Sequence, residues 1–140
     1  MIFLDTSVLI AVAQINHTHH APSLGLWSEC KSQQTAVSAH ALAEVYHVLT
    51  AMPPALRLAP GDAVLAAETF LKRLTAVALT SEEYVETLRS TAQLGHTGGM
   101  VYDALQVACA RKVKARQIYT WNVRHFRLLA PDLAERIITP

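Results

Sequence analysis

The feature that most constrains this chain is an alternation. Five short runs rich in apolar or β-branched residues, Ile2–Leu4, Thr35–Ser38, Ala76–Leu79, Gln117–Thr120 and Arg136–Thr139, are separated by stretches of helical character. Runs so brief and so apolar are the signature of strands buried on both faces. Helical sequence between them implies crossover connections, hence a short, mainly parallel central sheet of about five strands flanked by helices, an α/β fold. The predicted helices are Ser7–Gln14, Ala21–Lys31, Ala39–Ala51 (stopped by Pro53-Pro54), Gly61–Leu74, one opening at Thr80-Ser81-Glu82-Glu83, Met100–Val113 after the Gly98-Gly99 break, and Val123–Leu129. Thr80 and Glu83 have the spacing of a capping box. With 140 residues, 51% apolar and 16% charged, the chain suits one folded domain, 1–140, and disorder is excluded. The Pro53–Pro60 stretch reads as a loop between helices, since neither flank is able to fold alone.

Open α/β sheets bind ligands outside the carboxyl ends of their strands, so polar residues there are the first place to look for chemistry. Asp5 ends the first strand, Glu44 lies in the helix after the second, Asp103 sits in the first turn of the helix after Gly98-Gly99, and Asn122 lies two residues past Thr120. Each has an ordinary reading as well. Asp5 and Asn122 suit helix N-caps, and Asp103 complements a helix N-terminus. Glu44 aligns with His40 and His47 as a solvated polar face opposite Leu42, Val45 and Leu49. Together the acids are harder to reduce to caps. Asp103 interrupts the apolar run Met100-Val101-Tyr102/Ala104-Leu105, and burying a carboxylate there is costly unless a cation or hydrogen bonds satisfy it. Clustered carboxylates raise one another's pKa, and a hard divalent cation such as Mg²⁺ or Mn²⁺ resolves the conflict.

The motifs around these acids resemble those of the PIN-domain nucleases. Leu4-Asp5-Thr6-Ser7-Val8-Leu9-Ile10 is similar to the family's opening motif, and His40-Ala41-Leu42-Ala43-Glu44-Val45 to its central glutamate helix. Tyr102-Asp103-Ala104-Leu105-Gln106-Val107-Ala108 and Tyr119-Thr120-Trp121-Asn122-Val123-Arg124-His125-Phe126 are similar to its third and fourth. The four occur in order across nearly the whole chain, and the compact size most resembles the VapC toxins of toxin–antitoxin pairs. The resemblance implies a single-stranded RNA endonuclease using Mg²⁺ or Mn²⁺, with Asp5, Asp103 and Glu44 as metal ligands and Asn122 completing the catalytic set. Many members carry aspartate at that fourth position, so Asn122 predicts one firmly held metal, with the amide positioning a metal-bound water or nearby backbone. Thr6 or Ser7 would hold a phosphate oxygen, and Thr120 would orient an acidic ligand. Arg124, His125 and Arg127 follow Asn122 and are the candidates for RNA contact. A cognate VapB-like antitoxin and a homodimer are implied as partners, the apolar Gly61–Leu74 helix and the Val45–Met52 end of the third helix being suitable surfaces.

A net charge of +1 gives no bulk attraction to nucleic acid, so RNA binding has to rest on a local basic patch. Arg111, Lys112, Lys114 and Arg116 read either as a phosphate track or as a solvated helix end complementing the dipole. Asn16-His17-Thr18-His19-His20 lacks zinc-site spacing and reads as a polar loop bordering the cleft. Leu94–Gly99 is no P-loop, and its glycines read as a turn that sets Asp103 in place. Trp27 is expected to pack in a helix interface; Trp121 faces either site or core. Cys30 and Cys109 show no motif spacing and read as buried thiols of a cytoplasmic protein, with no signal peptide or membrane span expected. Three rival functions follow: a PIN fold that binds without cutting, a housekeeping RNA-processing nuclease without an antitoxin, and a phosphotransfer enzyme with Asp5 as nucleophile. The last needs a second aspartate two residues on, where Ser7 stands.

Overall fold

The three residues after Met1 become the middle of the molecule. The structure, a computed structural model, describes all 140 residues. In chain order its elements are β1 (Ile2–Leu4), α1 (Thr6–Ala13), α2 (His20–Glu29), β2 (Thr35–Ser38), α3 (Ala39–Ala51), α4 (Pro60–Leu71), β3 (Thr75–Val77), α5 (Ser81–Gln93), α6 (Met100–Lys112), β4 (Gln117–Tyr119), α7 (Val123–Leu129) and β5 (Ile137–Ile138), with a 3₁₀ segment over Pro131–Arg136. The strands lie in the order β3-β2-β1-β4-β5. Every pairing is parallel, so the expected mainly parallel sheet is parallel throughout.

Strand alternation divides the core in two. Phe3, Ala36, Ile118 and Ile137 are buried on one face with Val107 and Ala110 of α6 and Phe126 of α7. Leu4 and Val37 are buried on the other, with Leu9, Val45, Leu49 and Phe70 from α1, α3 and α4. Phe3 aligns with Ala36 and with Ile118, and Ile118 with Ile137, so one apolar row crosses four strands. A one-residue slip would exchange the faces and expose that row's partners, which is why the register is firm. Cys30 and Cys109 are both buried and free, in the two different clusters, so they do not pair. Trp27 packs edge-on against Phe70, ring centroids 5.2 Å apart.

β1, β2, α3 and α7 have the expected bounds, and the other elements deviate by one to three residues at their ends. β3 is Thr75–Val77 instead of Ala76–Leu79, because Ala78 and Leu79 already lead into the Thr80 cap. α4 ends at Leu71, three residues early, with Leu74 turning into the core. The capping box is present: Thr80 Oγ1 accepts from the Glu83 amide and Glu83 from the Thr80 amide. Expected β5 shrinks to Ile137–Ile138 because Pro131–Arg136 forms a 3₁₀ turn.

This topology places the site. From β1 the chain winds outward through β2 to β3, then returns to add β4 and β5 on the other side of β1. The carboxyl ends of β1 and β4 therefore flank the point where strand order reverses, the crevice where open α/β sheets bind ligands.

Candidate metal centre

Asp5 leaves β1 at this crevice. Its amide donates to Tyr119 O of β4 at 2.9 Å, and the residue is both the N-cap of α1 and only 2% exposed. Capping and site readings thus coincide. Its Oδ2 accepts from Ser7 Oγ at 2.6 Å, Thr120 Oγ1 at 2.8 Å and the Ser7 amide at 3.3 Å. All these protein bonds fall on one oxygen, and Oδ1 has no protein donor. No lysine or arginine neutralises the group. Burial pushes its carboxyl from 3.8 up to about 6; the neighbouring Asp103 charge adds to the rise, and the Ser7 and Thr120 hydrogen bonds oppose it.

The two hydroxyls are themselves held. Ser7 Oγ accepts from the Trp121 amide at 3.0 Å, and Thr120 Oγ1 accepts from the Asn122 amide at 2.9 Å. The turn after β4 is thereby tied to the start of α1, and the Asp5 carboxylate takes its orientation from both. Asn122 stands at the N-terminus of α7 without a side-chain capping bond, and its exposed amide side chain is free.

Glu44 departs from the solvated-face reading. Its Oε2 accepts from Thr6 Oγ1 at 2.5 Å and from Gln106 Nε2 at 2.7 Å, while Oε1 has no protein donor. Gln106, fully buried on α6, also donates to Thr6 Oγ1 at 2.7 Å, closing a triangle between α1, α3 and α6. Thr6, expected near a phosphate, instead serves Glu44. Gln106 is the residue that sequence reasoning missed. Its signal was a lone amide between Leu105 and Val107 in a helix otherwise apolar on that side, three residues after Asp103.

Asp103 lies in the first turn of α6, where the dipole favours an anion. Gly98, at φ +60°, makes the left-handed turn that begins this helix. The Asp103 side chain is 17% exposed, with Oδ2 3.0 Å from His125 Nδ1 and Oδ1 without a protein partner. Burial raises its pKa; His125 opposes this and the Glu44 charge reinforces it. Asp5 thus feels Asp103, and Asp103 feels Glu44.

Each of the three carboxylates accordingly has one oxygen steered by the protein and one left over. As the side chains stand, no three acidic, imidazole or thiol groups converge tightly enough to enclose one ion. An open set of carboxylate oxygens nevertheless suits a small hard divalent cation, which takes one or two carboxylates and keeps several waters. The donor set therefore fits such an ion, and would offer no soft thiolate to a different one.

Of the three candidates for RNA contact, His125 faces Asp103 and Arg124 is exposed without a partner. Arg127 turns toward β5, its guanidinium donating to Ile137 O at 3.0 Å. The basic run at the end of α6 is likewise spoken for in part. Arg111 forms a two-pronged pair with Asp132 at 2.7 and 2.6 Å, and Lys112 reaches Glu83 at 2.7 Å. Trp121 is half-buried, its indole N–H donating to Ser23 Oγ at 2.9 Å, with the ring stacked on His19 at 3.7 Å. The histidine loop thus borders the crevice and does not gather as a metal cluster.

Comparison with known proteins supplies the family. The PIN-domain family model matches residues 2–130. Ribonuclease VapC27 of Mycobacterium tuberculosis is 42% identical over 135 residues, covering 96% of this chain and 90% of that protein. Ribonuclease VapC40 of the same species is 32% identical over 127 residues, 89% of this chain and 88% of that one. Among solved structures, M. tuberculosis VapC20, described as a sarcin-ricin loop cleaving toxin, superimposes with a TM-score of 0.72 at 22% identity over 87% of this chain and 90% of its own. DNA-bound VapBC from Salmonella typhimurium gives 0.68 at 19% identity, covering 99% of this chain and 98% of that one. These last two are likenesses of fold. The match along the chain, with the acids at the sheet's switch point, places this protein in the PIN-domain family, among the VapC ribonucleases.

Proposed function

We propose that this chain is a Mg²⁺- or Mn²⁺-dependent endoribonuclease that cuts single-stranded RNA, and that it is the toxin of a VapBC-type pair, restrained by a VapB-like antitoxin. The observation that carries the reading is Asp5: a buried carboxylate with every protein hydrogen bond on one oxygen and the other left for a cation. The ribonucleases to which the chain is similar over nearly its full length supply the reaction class.

Asp5 and Asp103 would anchor the ion, and Glu44 would reach it through a water held on its free oxygen. When bound, a divalent ion supplies a water of lowered pKa and positive charge for the phosphodiester in flight. The chain's own residues supply orientation. Ser7 and Thr120 hold Asp5 in one rotamer, and Thr6 with Gln106 holds Glu44 so that Oε1 takes the proton of the attacking water. His125 and Arg124, on the first turns of α7, receive the phosphate. Asn122 brings an amide where an acid would add charge, which favours one metal. Exposed Val64, Leu65 and Leu71 on α4, with Tyr46 on α3, offer apolar surface for a second copy and for the antitoxin. No helix is long and apolar enough to cross a membrane.

The test is cleavage of a mixed RNA pool with Mn²⁺ or Mg²⁺, with and without EDTA. Metal-dependent cleavage lost in Asp5→Asn and Asp103→Asn is expected; undiminished cleavage by either variant rejects the assignment, and no cleavage by the wild type would favour a binding module.

A further inference from the structure

Two aromatic–imidazole stacks border the acids, and they are not equivalent. Trp121, beside Asn122, is stacked on His19 with rings 7° from parallel, and its indole N–H is bound to Ser23. That stack closes the packing of the turn after β4. Tyr102, immediately before Asp103, lies on His40, one turn before Glu44, with centroids 5.3 Å apart and planes 12° from parallel. Tyr102 remains 49% exposed although one face rests on His40, so its other face is open to solvent. His40 Nε2 is buried with no hydrogen-bond partner, leaving the ring contact as what holds the imidazole beneath the tyrosine.

An open ring at this place has a use that charge cannot fill. The net charge is +1, and Arg111, Lys112 and Arg127 are each bound to protein groups, which leaves Arg124 as the free cation among the residues that follow Asn122 and few counterions for a strand to release at the acids. Stacking on an exposed aromatic face is the other source of affinity for single strands, and it tolerates any base. We propose, building on the ribonuclease reading, that the open face of Tyr102 receives the nucleobase flanking the scissile phosphate, with His40 as a fixed layer behind the ring. The base is thereby held one residue from Asp103, and the strand is drawn across the acids by stacking more than by charge.

The experiment is steady-state cleavage, with Mn²⁺, of a short RNA carrying the wild type's own cut site, and of the same RNA made abasic at each position flanking the cut. Wild type, Tyr102→Ala and Tyr102→Phe are compared. Tyr102→Ala is expected to raise KM about 5- to 150-fold, the loss of one base stack, with kcat changed far less, while Tyr102→Phe stays near wild type. One abasic position should raise KM for the wild type and add little in Tyr102→Ala, because the two changes remove the same contact. An unchanged KM in Tyr102→Ala, fully additive effects, or a wild type indifferent to every abasic position overturns the inference; the last needs no variant to fold. Absence of any RNA cleavage by the wild type overturns the ribonuclease reading and this inference with it, whereas cleavage with unchanged KM overturns this inference alone.

Discussion

Replacing Asp5 by asparagine should make the metal-free protein more stable while destroying its activity. The carboxyl is pushed from 3.8 to about 6, mainly by burial. That rise corresponds to about 3 kcal/mol of preference for the neutral form in the folded state. The sign follows from proton binding. Between pH 3.8 and 6 the folded protein holds a proton that the unfolded chain has lost, so this group's contribution falls as pH rises, and above pH 6 the fold bears the full cost of a buried charge. Asparagine carries no charge, caps a helix as well as aspartate, and keeps an oxygen for Ser7 and Thr120. Allowing for imperfect accommodation of its NH₂ group, Asp5→Asn should gain about 1–3 kcal/mol in EDTA at pH 7.5, or about 3–10 °C in Tm for a chain of this size. Thermal unfolding followed by circular dichroism at pH 7.5 and pH 4 would read it. The gap should shrink at the lower pH, and Mn²⁺ should raise the Tm of the wild type more than that of the variant. A variant less stable than wild type at pH 7.5, or a gap independent of pH, would refute the reasoning.

Two other perturbations probe the neighbouring parts. Gln106→Leu removes the amide that steers Glu44 while keeping the volume; cleavage at saturating Mn²⁺ should fall about 10- to 100-fold in kcat with the fold retained, and an unchanged kcat would deny Gln106 its orienting role. Asn122→Asp restores a fourth acid beside the others, so metal titration of the variant should show tighter or additional Mn²⁺ binding than the wild type, with identical isotherms counting against a place for Asn122 at the site.

How much of this was legible in the residues differs from part to part, for physical reasons. Strand–helix alternation is a local pattern, and it located all five strands to within three residues and α3 and α7 at their observed bounds. The order β3-β2-β1-β4-β5 was not legible, because it depends on which faces the helices cover. Asp5 and Asp103 were legible since a carboxylate in an apolar setting demands a partner. Glu44 was more ambiguous: its helix reads as amphipathic whether or not the polar side meets α6, and only the fold brings Gln106, sixty-two positions on, against it. Thr6 and Arg127 were assigned by nearness in sequence to the acids, and the structure sends one to Glu44 and the other to β5. The basic run of α6 reads as free charge until Glu83 and Asp132 are found opposite it.

The central claim is that Asp5, Glu44 and Asp103 share one divalent ion. The most direct measurement is Mn²⁺ titration of the wild type and of Asp5→Asn, Glu44→Gln and Asp103→Asn by calorimetry, with paramagnetic resonance to count bound ions. A single site in the wild type that weakens in each of the three variants is expected. Two tight equivalent sites, or wild-type affinity in any one variant, would contradict it.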